Sequence, residues 1–286
     1  MANVRQIRRR IRSVQNTIRV TRAMEMIAAS KMRRAQQAVE ASRPYSQRIQ
    51  ELLYHLAAQV GSEDVSHPLM QSRFASQIAL VHITPDRGLS GGLNSNLNRF
   101  SGKFLLDQNL PAKLIAVGKK GRDFMLRSGR DVRAIFTDIG DRPGIEHVLP
   151  ITKLITEDYA NGSVDQVYMV YSQFINVMVQ RPTLVKLLPV EPSPELETTQ
   201  LSGYVYEPDI PGVLDALLPR FVEMQIYQAF LESAASEQAA RMVAMRTATD
   251  AANEFLGDLT LAMNKARQET ITAELLDIVG GVAALE

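Results

Sequence analysis

Gly88-Leu89-Ser90-Gly91-Gly92 matches G-x-S-x-G and stands between a β-rich run and a helical one. That is the setting of a hydrolase nucleophile carried on a strand-to-helix turn. Such a serine needs a histidine to take its proton and an acid to orient that histidine. The histidines are His55, His67, His82 and His147, and His147 is the best-placed partner. Pro85, Asp86 and Arg87 argue against this chemistry, because they separate the glycines from the strand that an elbow should turn straight off. The favoured reading is a tight strand-to-helix passage that uses glycine's backbone freedom. A small α/β serine hydrolase with a coiled-coil arm is the alternative function.

Other chemistry finds less support. The same glycines could seat a phosphate at the next helix N-terminus. Gly118-Lys119-Lys120-Gly121, however, has neither the spacing nor the trailing Ser or Thr of a phosphate loop, and no G-x-G-x-x-G occurs. Neither a nucleotide nor any other cofactor is expected. The histidines are scattered without H-E-x-x-H, so no metal is expected. The chain has no Cys, which excludes disulfides, thiolate zinc, iron–sulfur clusters and cysteine nucleophiles.

The basic N-terminal segment is a different kind of signal. Residues 1–34 hold ten basic side chains, among them Arg8, Arg9, Arg10, Lys31 and Arg33, against Glu25 alone. Residues 212–286 hold five basic and eleven acidic ones. The whole chain of 286 residues is nearly neutral at +1, so it is no generic polycation for nucleic acid. A DNA-reading basic helix keeps its basic region clear of the heptads; here the arginines are interleaved with Ile7 and Ile11. They must line the outer flank of a packed helix, either as a solvated face or facing an acidic protein partner. The first 24 residues also have the composition of a mitochondrial transit peptide, but the helical pattern continues far past any cleavage point. No stretch approaches the roughly 20 apolar residues of a membrane helix.

The elements follow from periodicity. Val4, Ile7, Ile11, Val14 and Ile18 are spaced 3-4-3-4, and Met242, Met245, Thr249, Ala252, Leu256, Leu259, Met263 and Ala266 alternate likewise. This is the seam of a coiled coil. Residues 3–57 predict a helix of about 80 Å, and residues 212–284 one of about 110 Å. Their opposite charge favours an antiparallel pair with the C-terminal helix overhanging. The alternative is an ordinary helical domain kinked at Pro44 and Gly257. Between them, Gln77–Thr84, Lys113–Gly118, Val132–Phe136 and Gln166–Ser172 read as strands, with helices near 93–107, 119–128 and 145–160. Strand–helix alternation predicts an α/β fold with a parallel sheet. Thr183–Val190 reads as an edge strand beside Pro182 and Pro189, and residues 191–211 as an exposed loop. The expected organisation is an N-terminal coiled-coil helix (1–60), a central α/β domain (75–210) and a C-terminal coiled-coil helix (211–286).

Several motifs together resemble a known family. Thr21–Met32 reads TRAMEMIAASKM, Gly88–Asn94 reads GLSGGLN, Ala240–Asp250 reads ARMVAMRTATD, and Asn264–Gln268 reads NKARQ before ITAELLDIVGG. These resemble the γ subunit of F-type ATP synthase over essentially the whole chain. Many bacterial members carry Cys where Ser90 stands here, and the dithiol insertion of the chloroplast form is missing. The resemblance implies a long antiparallel coiled coil inside a ring of three α and three β subunits. It also implies a central Rossmann-like α/β foot, with a small mostly parallel sheet, beside the ε subunit and the c-ring. It implies a single-copy rotor shaft that makes and breaks no bonds, turned by proton flow, peripheral on the cytoplasmic face of a bacterial plasma membrane. By the same resemblance Arg241, Arg267 and Gln268, with Asn264 nearby, are polar catches for β loops. Arg8, Arg9, Arg10, Met24, Lys31 and Arg33 face acidic β levers. Ile278 to Leu285 sits in an apolar bearing, and Tyr204, Tyr206 and Glu207 lie towards ε and the c-ring.

Overall fold

The structure is a computed structural model that describes residues 4–59, 67–191, 207 and 209–283. It divides into two compact units. One holds residues 1–28 and 242–286, the other residues 29–241.

The first unit is a two-helix coiled coil. It contains the start of α1 (Val4–Gln59) and the end of α5 (Ile210–Ala283). The seam predicted from spacing is the buried one. Ile7, Met245, Thr249 and Leu259 are buried, and Val4, Ile11, Val14, Ile18, Met242, Ala252, Leu256, Met263 and Ala266 are half-buried. Burial on α5 stops at Ala266, seventeen residues beyond Thr249. Val4, where the described part of α1 begins, stands seventeen residues before Thr21. Thr21 and Thr249 touch, so the two helices run antiparallel. Every residue from Arg267 to Val279 is exposed, as expected for the part of a longer helix that outruns its partner. Gly257 lies inside an unbroken helix.

The second unit is a sheet sandwiched by helices. The strands are β1 (Ile78–Ile83), β2 (Ala112–Val117), β3 (Val132–Phe136), β4 (Gln166–Phe174) and β5 (Gln180–Leu188). Their order is β3-β2-β1-β4-β5. The first four are parallel and β5 returns antiparallel along β4. Pro182 therefore sits on an edge strand, where a missing N–H does least harm. Helices α2 (Leu93–Gln108), α3 (Lys119–Arg127) and α4 (Ile145–Ala160) are the crossovers.

Every residue of β1 is buried, as for a central parallel strand. Its side chains alternate between two cores. Ile78 and Leu80 join Leu114 and Val170 under Leu93, Leu97 and Leu105 of α2 and Met125 of α3. Ala79, Val81 and Ile83 join Ile115, Val117 and Met169 under Ile151 and Ile155 of α4. Ile49, Leu53 and Leu56 of α1 and Leu214, Leu218 and Val222 of α5 complete that second core. This burial explains why the helices pass through Pro44 and Pro219 unbroken. An interior proline costs about 3 kcal/mol, and each fully buried large aliphatic contributes roughly 1.5–3 kcal/mol. The start of α5 is also fixed locally, because Asp209 Oδ1 accepts from Gly212 N–H at 2.8 Å as an N-cap.

Candidate functional site

Ser90 is buried at 1% exposure and lies seven residues beyond the end of β1. Its Oγ accepts from Asn94 Nδ2 at 3.3 Å. Among the described residues no histidine bonds to it. His147 is engaged elsewhere: its Nδ1 accepts from Gly144 N–H at 3.2 Å at the start of α4. Leu89 and Gly91 take positive φ of 62° and 57°, so the glycine-rich run is a turn with its serine folded inwards. The hydrolase alternative fails on this geometry.

The edge of the sheet where a doubly wound fold holds its ligands is the carboxyl end of the parallel strands. Here the chain's own groups take up the polar contacts of that edge. Asp86 accepts from Lys119 N–H at 2.9 Å through one oxygen and from Asp138 N–H at 2.9 Å through the other. Its carboxylate thus caps α3 at the point where a phosphate would be held. Thr84 Oγ1 accepts from Gly121 N–H at 2.8 Å. Gly118 has φ +88°, and a Cβ there would lie 1.9 Å from Thr84 O; one on Gly121 would lie 2.7 Å from both the His82 ring and Thr84 Oγ1. The two glycines of Gly118-Lys119-Lys120-Gly121 serve close backbone approach, not nucleotide binding. His82 is fully buried, bonded through Nε2 to Asn98 Oδ1 and through Nδ1 to Ser101 Oγ, each at 2.9 Å. Burial lowers its pKa to about 4, so it is a neutral core group.

Two helices cross the same edge. Lys31 of α1 pairs with Asp141 Oδ2 at 2.6 Å, and Gln238 Nε2 of α5 donates to Asp141 Oδ1 at 3.0 Å. Arg241 of α5 pairs with Glu237 at 2.5 Å and donates to Gly88 O at 3.3 Å. Burial raises the Glu237 pKa, and the Arg241 charge opposes that shift. Ser236 Oγ donates to Ser172 O of β4 at 3.0 Å. Loops that follow β1 and β3, and β4 itself, are thus tied to α5. Ser42 Oγ donates to Gln228 Oε1 between α1 and α5.

The residues expected to face partners fall into three groups. In the coiled-coil unit Arg8, Arg9, Arg10, Asn264, Arg267 and Gln268 are exposed, and Met24 is half-buried. In the other unit Arg33 is exposed, whereas Lys31 and Arg241 are brought together at the sheet edge and engaged within the chain. Glu207 is exposed; Tyr204 and Tyr206 lie outside the described residues. Ile278 and Val279 are exposed, and the rest of the tail to Leu285 has no described side chains. Sequence reasoning missed Asp141, Gln238 and Glu237. The position of Asp141 just past the carboxyl end of a parallel strand was the signal that could have found it. It also missed three exposed apolar side chains of α1, Val20, Met26 and Ile27, which are 57%, 67% and 55% exposed. Among the described residues no cluster could hold a metal ion and no helix is long and apolar enough to cross a membrane.

The architecture is that of a paired-helix protein with an inserted doubly wound α/β domain. Residues 3–285 match the family model for ATP synthase. The ATP synthase gamma chain of Dehalococcoides mccartyi is 55% identical over 285 residues, covering all of both chains. That of Herpetosiphon aurantiacus is 47% identical, covering all of this chain and 99% of its own. Among solved structures, a chain of the Euglena gracilis mitochondrial ATP synthase, in an assembly of OSCP, F1 and c-ring, shares the fold. Its TM-score is 0.68 at 20% identity, over 99% of this chain and 94% of that one. A chain of the Tetrahymena thermophila mitochondrial ATP synthase central stalk and c-ring does so at TM-score 0.62 and 24% identity, over 80% and 99%. This chain belongs to the ATP synthase gamma chain family.

Proposed function

We propose that this chain is the central rotor shaft of an F-type ATP synthase. It couples rotation of a c-ring, driven by proton flow, to ATP synthesis and hydrolysis at β subunits. Its membership of the gamma chain family over its whole length carries the reading. The chain is part of an enzyme complex, and within it this subunit does no bond chemistry. It works by shape. Each orientation of an asymmetric shaft must interact differently with the conformations of the three β sites, since only differential interaction shifts an equilibrium.

The coiled-coil unit suits that task. Its seam is largely apolar, and its outer surface presents Arg8, Arg9, Arg10, Asn264, Arg267 and Gln268 together with the exposed apolar side chains of Val20, Met26 and Ile27. Exposed charge contacts are individually weak, about 0–1 kcal/mol, so none holds the rotor in one place. We assign these residues, with Met24 and Arg33, to the surface facing three α and three β subunits. Lys31 and Arg241 join that surface through whatever part of each side chain remains exposed. Tyr204, Tyr206 and Glu207 are assigned to the ε subunit and c-ring side. The functional segments are the helices 1–60 and 211–286 and the α/β foot 75–210. The complex is membrane-associated, and we place this subunit peripherally on the cytoplasmic face of a bacterial plasma membrane.

Native mass spectrometry of the endogenous complex tests the reading. One copy of this chain with three each of two larger nucleotide-bearing subunits supports it. A free monomer or homodimer under gentle conditions overturns it.

A further inference from the structure

The carboxyl edge of the sheet, where this class of fold holds ligands, is occupied by ties to the two helices. Asp141 carries the most direct of them. Its two oxygens divide between α1, through Lys31 at 2.6 Å, and α5, through Gln238 at 3.0 Å. The loop that carries it, between β3 and α4, packs Ile139 against the core shared with α5, and a cleft opens on either side of it. A cavity of about 310 Å³ bounded by Thr84, Asp86, Ser233 and Glu237 opens on one side of it. A second, of about 810 Å³ and bounded by Arg34, Ala38, Tyr227 and Leu231, opens on the other. Ile139, Gly140, Asp141 and Pro143 line both. The shared apolar core holds the sheet against both helices, and beside these clefts the polar contacts add directional resistance to sliding. The Lys31 and Asp141 side chains are 28% and 40% exposed, so water screens the pair, and its value lies in joining both helices at one carboxylate rather than in its strength.

We propose that Asp141 is a positioning residue for torque. It clamps the α/β domain to α1 and α5, so that turning force applied to the domain reaches both helices without slack. Arg241 through Gly88 O and Ser236 through Ser172 O are the supporting ties. The proposal rests on the rotor reading. In it, the Lys31 ammonium acts on its own chain through Asp141, in addition to the exposed part of that side chain on the partner-facing surface.

The test uses the assembled complex with a bead attached to the α/β domain through the substitution Lys103→Cys, at an exposed α2 position. The readout is the angular fluctuation of the bead while the complex is stalled without ATP. Asp141→Ala should increase the angular variance by up to about twofold, as expected for losing the one tie that reaches both helices. Lys31→Asp alone should do the same, and the swap Lys31→Asp with Asp141→Lys should return the variance towards wild type. For Asp141→Ala, turnover without load should stay near wild type, while ATP-driven proton pumping against a gradient slows. Should Asp141→Ala fail to assemble, Asp141→Asn keeps the shape and weakens the pair, and should widen the fluctuation by a smaller factor. Unchanged variance in the assembled variants, or a swap no better than either single change, overturns the clamp while leaving the rotor reading intact. A wild-type bead that never turns on adding ATP overturns the rotor reading and the clamp with it.

Discussion

The hydroxyls of Thr21 and Thr249 meet at 2.7 Å across the coiled-coil seam, both buried. Thr249 is also within reach of Met245 O at 2.9 Å and Thr21 of Ile18 O at 3.2 Å. One hydroxyl can therefore donate across the seam while the other donates back along its own helix. A single polar pair in an apolar seam fixes register, because sliding by one turn would bury it unpaired. Thr21→Val should cost about 1 kcal/mol, since Thr249 keeps only its intrahelical acceptor. Replacing both threonines by valine should cost less than the two single changes added together. Denaturant unfolding of the full chain in a double-mutant cycle measures this.

His82 gives the core a pH dependence. Its pKa is depressed from 6.5 to about 4, chiefly by burial, with the Asn98 bond opposing. Between those values the unfolded chain binds a proton that the folded chain does not. Stability from this group is therefore full above about pH 6.5 and falls as pH drops towards 4. The total is on the order of 3 kcal/mol. Glu232 and Glu237 have raised pKa values through burial and act in the opposite direction. The quantity to measure is thus the difference between wild type and His82→Gln in unfolding free energy across pH 4 to 7. The wild-type advantage should shrink as pH falls.

Gly118 and Gly121 admit no side chain. Gly118→Ala must displace Thr84 O from 1.9 Å while holding φ +88°, and should cost more than about 3 kcal/mol. Gly129→Ala carries a positive φ of 65° with open space around it, and should cost only about 1 kcal/mol. Thermal unfolding of the two variants separates close approach from backbone strain.

Ser90→Ala should leave rotation-coupled ATP synthesis essentially unchanged, because Ser90 only accepts from Asn94. Arg267→Ala and Gln268→Ala remove exposed groups on the proposed β-facing surface. Each should slow synthesis by no more than about fivefold, the size of an exposed polar contact. Assays of ATP synthesis in vesicles compare the three.

Much of this was legible before the structure. The coiled-coil seam was read residue by residue, because a 3-4 spacing has one structural solution. Strands were placed to within three residues at each end, and β5 was placed at an edge by its prolines. What could not be read was tertiary. Arg241 looked like a free catch, but its neighbours along the helix put Glu237 one turn away and the fold brings Gly88 O to it. Asp141 sits in an ordinary Gly-Asp-Arg-Pro-Gly turn, and only the crossing of both helices at the sheet edge gives it two partners. Ser90 kept a hydrolase spacing because local pattern is blind to where a side chain points.

The central claim is that this chain turns. The direct measurement is single-molecule observation of a bead on the α/β domain, with the α and β subunits fixed to a surface and ATP supplied. The rotor account predicts continuous rotation in one direction that starts with ATP and stops when it is exhausted. ATP hydrolysis by the same immobilised complexes without any rotation of the bead would contradict it.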